Sequence, residues 1–226
     1  MGGFNLVSLL QAADYEVIVP PEFVCCGIPL ISGGFEKDAQ ENALINAKTI
    51  AHYTNQGLPI LTVCPSYRLM LTKESLEFFP EIQKHLEKAQ IWSAEEFILQ
   101  LLATKELDIR NFKSEEQEIL YHAPCHLRAL GGGLPGLELL SQIPGLNISE
   151  AQAGCCGISG SYGFKKEKYA IAQSVGAELF KKVQESTAKI VVTECGTCRL
   201  QISAHTKKPI LHPLTIVRAS LEGEKL

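Results

Sequence analysis

The sequence has no apolar run approaching the roughly 18–20 residues of a membrane span, so nothing in it reads as a membrane-crossing helix. Its first 30 residues carry acids, glycine and proline. They lack the basic-then-apolar order of a signal peptide. There is no excess of positive charge: the net charge of −4 gives no reason to expect nucleic acid as a partner. Gly131-Gly132-Gly133 has no Walker or dinucleotide pattern around it, so no nucleotide site is assigned. No Ser-His-Asp order and no carboxylate pair stands out. The remaining composition, with 46% hydrophobic and 20% charged residues, is that of an ordinary globular chain long enough for one large or two small domains.

Cysteine is what the sequence does have. There are eight, clustered as Cys25–Cys26, Cys64, Cys125, Cys155–Cys156, Cys195 and Cys198. An even count would suit disulfides in a small secreted protein, but this chain is too long to need such staples and shows no export signal. Vicinal cysteines also pair poorly with each other, because the ring strains the peptide bond. The reading is a reducing, cytoplasmic compartment with thiols used as metal ligands or redox groups.

The cysteines mark an internal repeat. The first copy reads Val24-Cys-Cys-Gly-Ile28, then a helical stretch, then Pro59-Ile-Leu-Thr-Val-Cys-Pro-Ser-Tyr67. The second reads Gly154-Cys-Cys-Gly-Ile158, a helical stretch, then Lys189-Ile-Val-Val-Thr-Glu-Cys-Gly-Thr-Cys198. Cys26 and Cys64 are 38 positions apart, and Cys156 and Cys195 are 39 apart. Two copies point to duplicated lobes packed with pseudo-symmetry.

Short aliphatic runs predict strands at Glu16–Pro20, Pro59–Val63, Glu118–His122, Lys189–Thr193 and Lys208–Leu211. Helical periodicity predicts helices at Asp38–Tyr53, Tyr67–Phe79, Ala94–Thr104, Leu134–Gln142, Tyr169–Val183 and Thr215–Leu221. In Tyr169–Val183 the apolar stripe reads Tyr169, Ala172, Val175, Leu179 and Val183. The alternation gives an α/β fold of two pseudo-repeated lobes with mainly parallel sheets, each carrying a Cys-Cys-Gly motif. The expected division is a first lobe over 1–104, a charged linker over 105–118 and a second lobe over 119–226. A cysteine equivalent to Cys125 would precede Met1 in the first copy. The expectation is therefore that the first lobe is truncated at its start and its motif degenerate, with Tyr67 standing where Cys198 stands in the second.

Soft thiolates select zinc, Cu(I) and iron–sulfur clusters. The five cysteines of the second copy, Cys125, Cys155, Cys156, Cys195 and Cys198, suit a multi-iron cluster better than one zinc ion. Adjacent residues reach two vertices of a single tetrahedron with difficulty, whereas each can take a different iron of a cluster. Gly157 and Gly196 leave room for backbone beside a bulky group. Zinc remains the alternative. Cys25, Cys26 and Cys64 are candidates for a second metal site. His122 and His126 flank Cys125 and are read as histidines with ordinary hydrogen bonds; metal ligation and proton transfer are the other readings. Arg128 and Arg199 are either exposed helix residues or charges that offset a thiolate-bound cluster. Lys165, Lys166 and Glu167 read as a solvated helix start.

The pattern Cys125…Cys155-Cys156-Gly157…Cys195-x-x-Cys198 resembles the CCG cysteine-rich domain family. Tyr121-His-Ala-Pro-Cys-His126, Leu139–Leu146, Cys155–Glu167, Val191–Cys198 and Cys25–Ile31 with Gly34-Phe35 look most like the C subunits of anaerobic glycerol-3-phosphate dehydrogenases. The B subunits of heterodisulfide reductases and the iron–sulfur subunits of glycolate/lactate oxidases are further relatives. The resemblance implies an iron–sulfur electron-transfer subunit holding a [4Fe–4S] cluster, non-cubane by the heterodisulfide reductase likeness, on those five cysteines. It implies a flavoprotein dehydrogenase partner and a membrane-associated subunit or quinone, with attachment to the inner face of the cell membrane through partners. Family members usually begin with a ferredoxin-like region carrying two Cys-x2-Cys-x2-Cys-x3-Cys-Pro runs, and these 226 residues contain none. Rival readings are a cluster enzyme acting on a disulfide and a zinc-stabilised scaffold.

Overall fold

The computed structural model describes residues 2–108 and 116–224. Of the expected linker 105–118, residues 109–115 lie outside the described residues, as does Met1. The first segment runs α1 (Gly2–Ala12), α2 (Ile28–Gly33), α3 (Glu36–Thr54), β1 (Ile60–Thr62), α4 (Pro65–Leu69), α5 (Ser75–Phe78), α6 (Gln83–Leu86), β2 (Ile91–Ser93) and α7 (Ala94–Thr104). One π-helical turn, Met70–Glu74, joins α4 to α5. The second segment runs β3 (Gln117–Tyr121), α8 (Cys125–Leu130), α9 (Pro135–Ser141), β4 (Leu146–Glu150), α10 (Tyr169–Glu185), β5 (Ile190–Val192), α11 (Gly196–Ser203), β6 (Ile210–Leu211) and α12 (Pro213–Glu222).

Among the described residues every strand pairing is parallel. β1 pairs with β2, and the larger sheet has the order β4-β3-β5-β6. In the register of the larger sheet, Tyr121 lies opposite Glu150 on one side and Val192 on the other. Parallel strands end on the same edge, so the loops that follow β3, β4 and β5 leave side by side. Those three loops carry Cys125, Cys155–Cys156 and Cys195–Cys198. The fold is thus the two α/β lobes with parallel sheets that the repeat implies.

Local chemistry explains the boundaries. Ser93 and Glu96 form a capping box: the serine hydroxyl accepts from the Glu96 N–H at 3.1 Å, and the Glu96 carboxylate accepts from the Ser93 N–H at 3.2 Å. This places α7 over the span its periodicity predicts. Asn46, buried on α3, binds the backbone of the first Cys-Cys-Gly loop. Its side-chain oxygen accepts from the Val24 N–H at 3.0 Å, and its amide donates to the carbonyls of Val24 and Cys25.

Three expectations are corrected. Glu16–Pro20 forms no strand; Val19 is 75% exposed, no strand among the described residues pairs with it, and Pro20 has no N–H to donate. β2 and β4 are additional strands. β2 is only three residues long, and β4 (Leu-Asn-Ile-Ser-Glu) is a half-exposed edge with little β-branched character. The buried face of α10 is Ala172, Gly176, Leu179, Phe180 and Val183, while Tyr169 and Val175 point outward. Spacings of three and four fit both faces of a 3.6-residue helix, and Phe180 carries the larger apolar area inward.

The largest core is shared between the segments. Leu6, Leu9 and Leu10 of α1 and Ile98 and Leu101 of α7 pack with Ile119 and Tyr121 of β3, Leu139 and Leu140 of α9, and Ile216 and Val217 of α12. A second cluster on the opposite face of the larger sheet joins Leu120, Ile158, Leu179, Phe180 and Val191 to Cys156, Cys195 and Cys198.

Candidate metal centre

The second-copy cysteines converge at the carboxyl edge of the larger sheet. Cys125 opens α8 directly after Pro124, whose extended backbone (φ −61°, ψ 148°) stops β3 and starts the helix. Cys155 follows β4, and its sulfur accepts from the Gly157 N–H at 3.3 Å. Gly157 has φ +92°, a left-handed turn that folds this N–H back toward the sulfur. Cys195 caps α11 with extended backbone, its sulfur lying 3.0 Å from Thr197 Oγ1. Cys198 lies one turn into the same helix and is buried, as is Cys156.

All eight cysteines are free thiols. Six of them form one line of sulfur contacts. Cys125 lies 3.8 Å from Cys155; Cys155 contacts Cys156, Cys156 contacts Cys198, and Cys198 contacts Cys195. The sixth is Cys64 of the first lobe, in hydrogen-bond contact with Cys195. Sulfur contacts along this line set the ionisation. Hydrogen bonds from Cys125, then Cys156, push Cys155 down to about 2, and hydrogen bonds from Cys198 and Cys64 push Cys195 far down. Their partners go up: Cys125, Cys64 and Cys198 far above the ordinary thiol value, and Cys156 to about 12 through its bond to Cys155. So closely packed a set of thiols ionises completely only when a cation neutralises it. Among the described residues, no three His, Cys, Asp or Glu side chains converge on a point suited to one metal ion.

The first-copy cysteines are divided. Cys26 is raised to about 11, chiefly by burial, and its thiol partner is Cys25, which is exposed. Tyr67 stands at the position of Cys198 and donates its hydroxyl to the Val24 carbonyl at 3.1 Å, beside this pair. Cys64 turns instead to Cys195, with the Ser66 and Tyr67 amides as its backbone partners. The repeat-equivalent residues Cys64 and Cys195 are thus brought together across the lobe boundary.

The basic residues divide as well. His126 Nδ1 lies 2.7 Å from Ser66 Oγ across the lobe boundary. His122 is fully buried with neither ring nitrogen hydrogen-bonded, so the ordinary-hydrogen-bond reading fails for it; burial pushes its imidazole down to about 4. Arg128 pairs with Glu150 at 3.3 Å, while Arg199, Lys165, Lys166 and Glu167 are exposed.

A carboxylate pair does exist, contrary to the sequence reading. Buried Glu95 of α7 and buried Glu194, next to Cys195, lie within electrostatic reach of each other. Tyr121 donates its hydroxyl to Glu194, and Gly136, lacking a Cβ, leaves the space that the Glu194 carboxyl fills. Burial, then the Glu194 charge, raises Glu95 well above the usual carboxylate value. A carboxyl whose folded-state pKa is raised binds its proton more tightly folded than unfolded. The stability this confers is complete below the unfolded value of about 4.5 and is lost as pH rises toward the folded value. Glu95→Gln is therefore expected to change stability little at pH 4.5, and at pH 8 to stabilise the protein by on the order of 1–3 kcal/mol over wild type. Urea unfolding at both values measures this; a Gln variant less stable at pH 8 than at pH 4.5 by the wild-type margin would contradict it.

The Cysteine-rich domain family, CCG, matches the chain twice, over residues 4–72 and 119–203, one match in each lobe. The chain belongs to the CCG cysteine-rich domain family. The C subunit of anaerobic glycerol-3-phosphate dehydrogenase from Escherichia coli (strain K12) is 35% identical, over 97% of this chain and 55% of its own length. The B subunit of fumarate reductase (CoM/CoB) from Methanothermobacter marburgensis is 31% identical, over 91% of this chain and 39% of its own. Lactate utilization protein A 2 from Bacillus cereus (strain Q1) is 26% identical, over 91% of this chain and 84% of its own. The chain thus spans about half the length of the first of these relatives. Within this CCG protein the second match contains the whole five-cysteine set, and the first contains Cys25, Cys26 and Cys64.

Proposed function

We propose that Cys125, Cys155, Cys156, Cys195 and Cys198 hold an iron–sulfur cluster, of the [4Fe–4S] class, and that the protein is an electron-transfer subunit of an oxidoreductase. The observation that carries this is the unbroken series of contacts that joins the five thiols at the sheet edge. Five thiols are more than the four a single tetrahedral ion takes, and among the described residues no three donors converge on a point suited to one ion, which suits several metal atoms bridged by sulfide. Such a cluster supplies a one-electron redox centre. The chain's own residues supply the rest. The five thiols bind, Gly157 turns an amide onto Cys155, and the apolar cluster of Leu120, Ile158, Leu179 and Val191 keeps water from the inner side.

The named relatives extend the reading. Likeness to the C subunit of a glycerol-3-phosphate dehydrogenase suggests that electrons come from a flavoprotein partner oxidising glycerol 3-phosphate and go toward membrane quinone. No helix among the described residues is long and apolar enough to cross a membrane, so contact with the membrane is through partners in this proposal.

Anaerobic purification with iron, sulfide and zinc analysis and an EPR spectrum, on wild type and Cys156→Ser, tests the proposal. About four irons per chain in wild type, with loss or marked change of signal in the variant, is the expected result. Stoichiometric zinc without sulfide would replace the electron-transfer reading with a zinc-held scaffold.

A further inference from the structure

His122 occupies the centre of the sheet edge where the thiols gather. β3 lies between β4 and β5, and the pairing continues past its end. The His122 N–H donates to the Val192 carbonyl at 2.8 Å, and the Ala151 N–H donates to the Tyr121 carbonyl at 2.8 Å. His122 is thereby fixed between the chain leaving β4 toward Cys155 and the chain leaving β5 toward Cys195. Residues i and i+2 of a strand share a face. His122 follows Leu120 onto the face where Leu120 packs with Cys156, Cys195 and Cys198, while Tyr121 faces the other core.

The side chain there is anomalous. It is 0% exposed, and neither Nδ1 nor Nε2 has a hydrogen-bond partner. A buried donor without an acceptor is costly, and structures keep few of them. A neutral imidazole carries one N–H and an imidazolium two, so in either form the ring holds a donor that lacks an acceptor. The acidic groups within its electrostatic reach are the thiols of Cys195 and Cys155. Arg128 is held by Glu150 and is a donor, so it cannot accept the imidazole proton. Sulfur is the acceptor that the surroundings supply.

We propose that His122 donates its ring N–H to sulfur of the thiolate-held cluster and thereby raises its reduction potential. The inference rests on the cluster reading above. Reduction adds negative charge to the cluster, an N–H aimed at sulfur stabilises the reduced form more than the oxidised one, and the potential rises. His122 is a positioning and tuning residue in this account; the five cysteines carry the ligation.

The test uses the full chain, purified anaerobically, as wild type, His122→Leu and His122→Gln. Iron and sulfide content, EPR-monitored redox titration and pulsed EPR on protein labelled with ¹⁵N-histidine are measured together. His122→Leu is expected to keep its iron and sulfide, to titrate at a more negative potential and to lose a weak ¹⁵N coupling. His122→Gln, which keeps an N–H donor, is expected to move the potential back toward wild type. Unchanged potential and spectrum in His122→Leu would overturn the proposal, as would a ¹⁵N coupling large enough for direct iron ligation. Should His122→Leu lose the cluster, His122→Gln decides: wild-type iron with a potential near wild type supports the donor role, and equal loss overturns it. Wild type without iron and sulfide is a distinct result that removes the cluster reading itself.

Discussion

Cys195→Ala is expected to strip the protein of iron and sulfide, whereas Cys25→Ala is expected to leave both at the wild-type level. Cys195 is the sulfur with the most support. Cys198 and Cys64 both hydrogen-bond to it, Thr197 lies 3.0 Å away, and the Cys198 amide points at it from the first turn of α11. These contacts favour the thiolate, which is the form that ligates. Removing it takes out the thiolate that stands between Cys198 and Cys64 and the one whose surroundings most favour its ligating form. Cys25 is exposed and its contacts are local, with Cys26 and with side chains of α3. Iron and sulfide per chain, read with the visible absorbance of anaerobic protein, separates the two variants. Full iron in Cys195→Ala, or equal loss in Cys25→Ala, would move the centre away from the second motif.

Gly157→Ala and Gly27→Ala should differ sharply, although the two glycines are repeat equivalents with nearly the same backbone, φ +92° and +94°. Both substitutions carry the strain of a left-handed residue, about 1–2 kcal/mol. At Gly27 a new Cβ meets nothing nearer than the Ala39 Cβ at 3.5 Å, an ordinary contact. At Gly157 it would overlap the Ala172 carbonyl oxygen and lie 2.9 Å from the carbonyl carbon, backbone of α10 that cannot swing aside. The expected cost there is on the order of 4 kcal/mol, enough to unfold a marginal domain or to displace the loop that carries Cys155 and Cys156. Denaturant unfolding of the two variants measures the difference. Equal, small losses would mean that α10 does not press on the second Cys-Cys-Gly turn. The asymmetry fits the division of the copies: the second turn is clamped between its helix and its sulfurs, and the first is held by Asn46 hydrogen bonds on its α3 side.

The sequence by itself determined the repeat, the α/β character with parallel sheets and the two Cys-Cys-Gly motifs. Those depend on local patterns: strand propensity ahead of Cys195, helical periodicity in 38–53 and 94–104, and cysteines at matched spacing. It determined them because each element's character comes from neighbours within a few residues. Tertiary structure alone decided what crosses the boundary between the lobes. Cys64 reads in sequence as a partner of Cys25 and Cys26, yet its thiol interacts with Cys195, because the loops that follow β1 and β5 meet across the lobe boundary. Glu95 and Glu194 are 99 positions apart in sequence and are brought into electrostatic reach only because α7 of the first segment packs into the core of the second. His122 reads as an ordinary strand-end histidine. What makes it unusual is its burial at the centre strand with no partner, and burial is a property of every element packed around a residue, which no local pattern encodes.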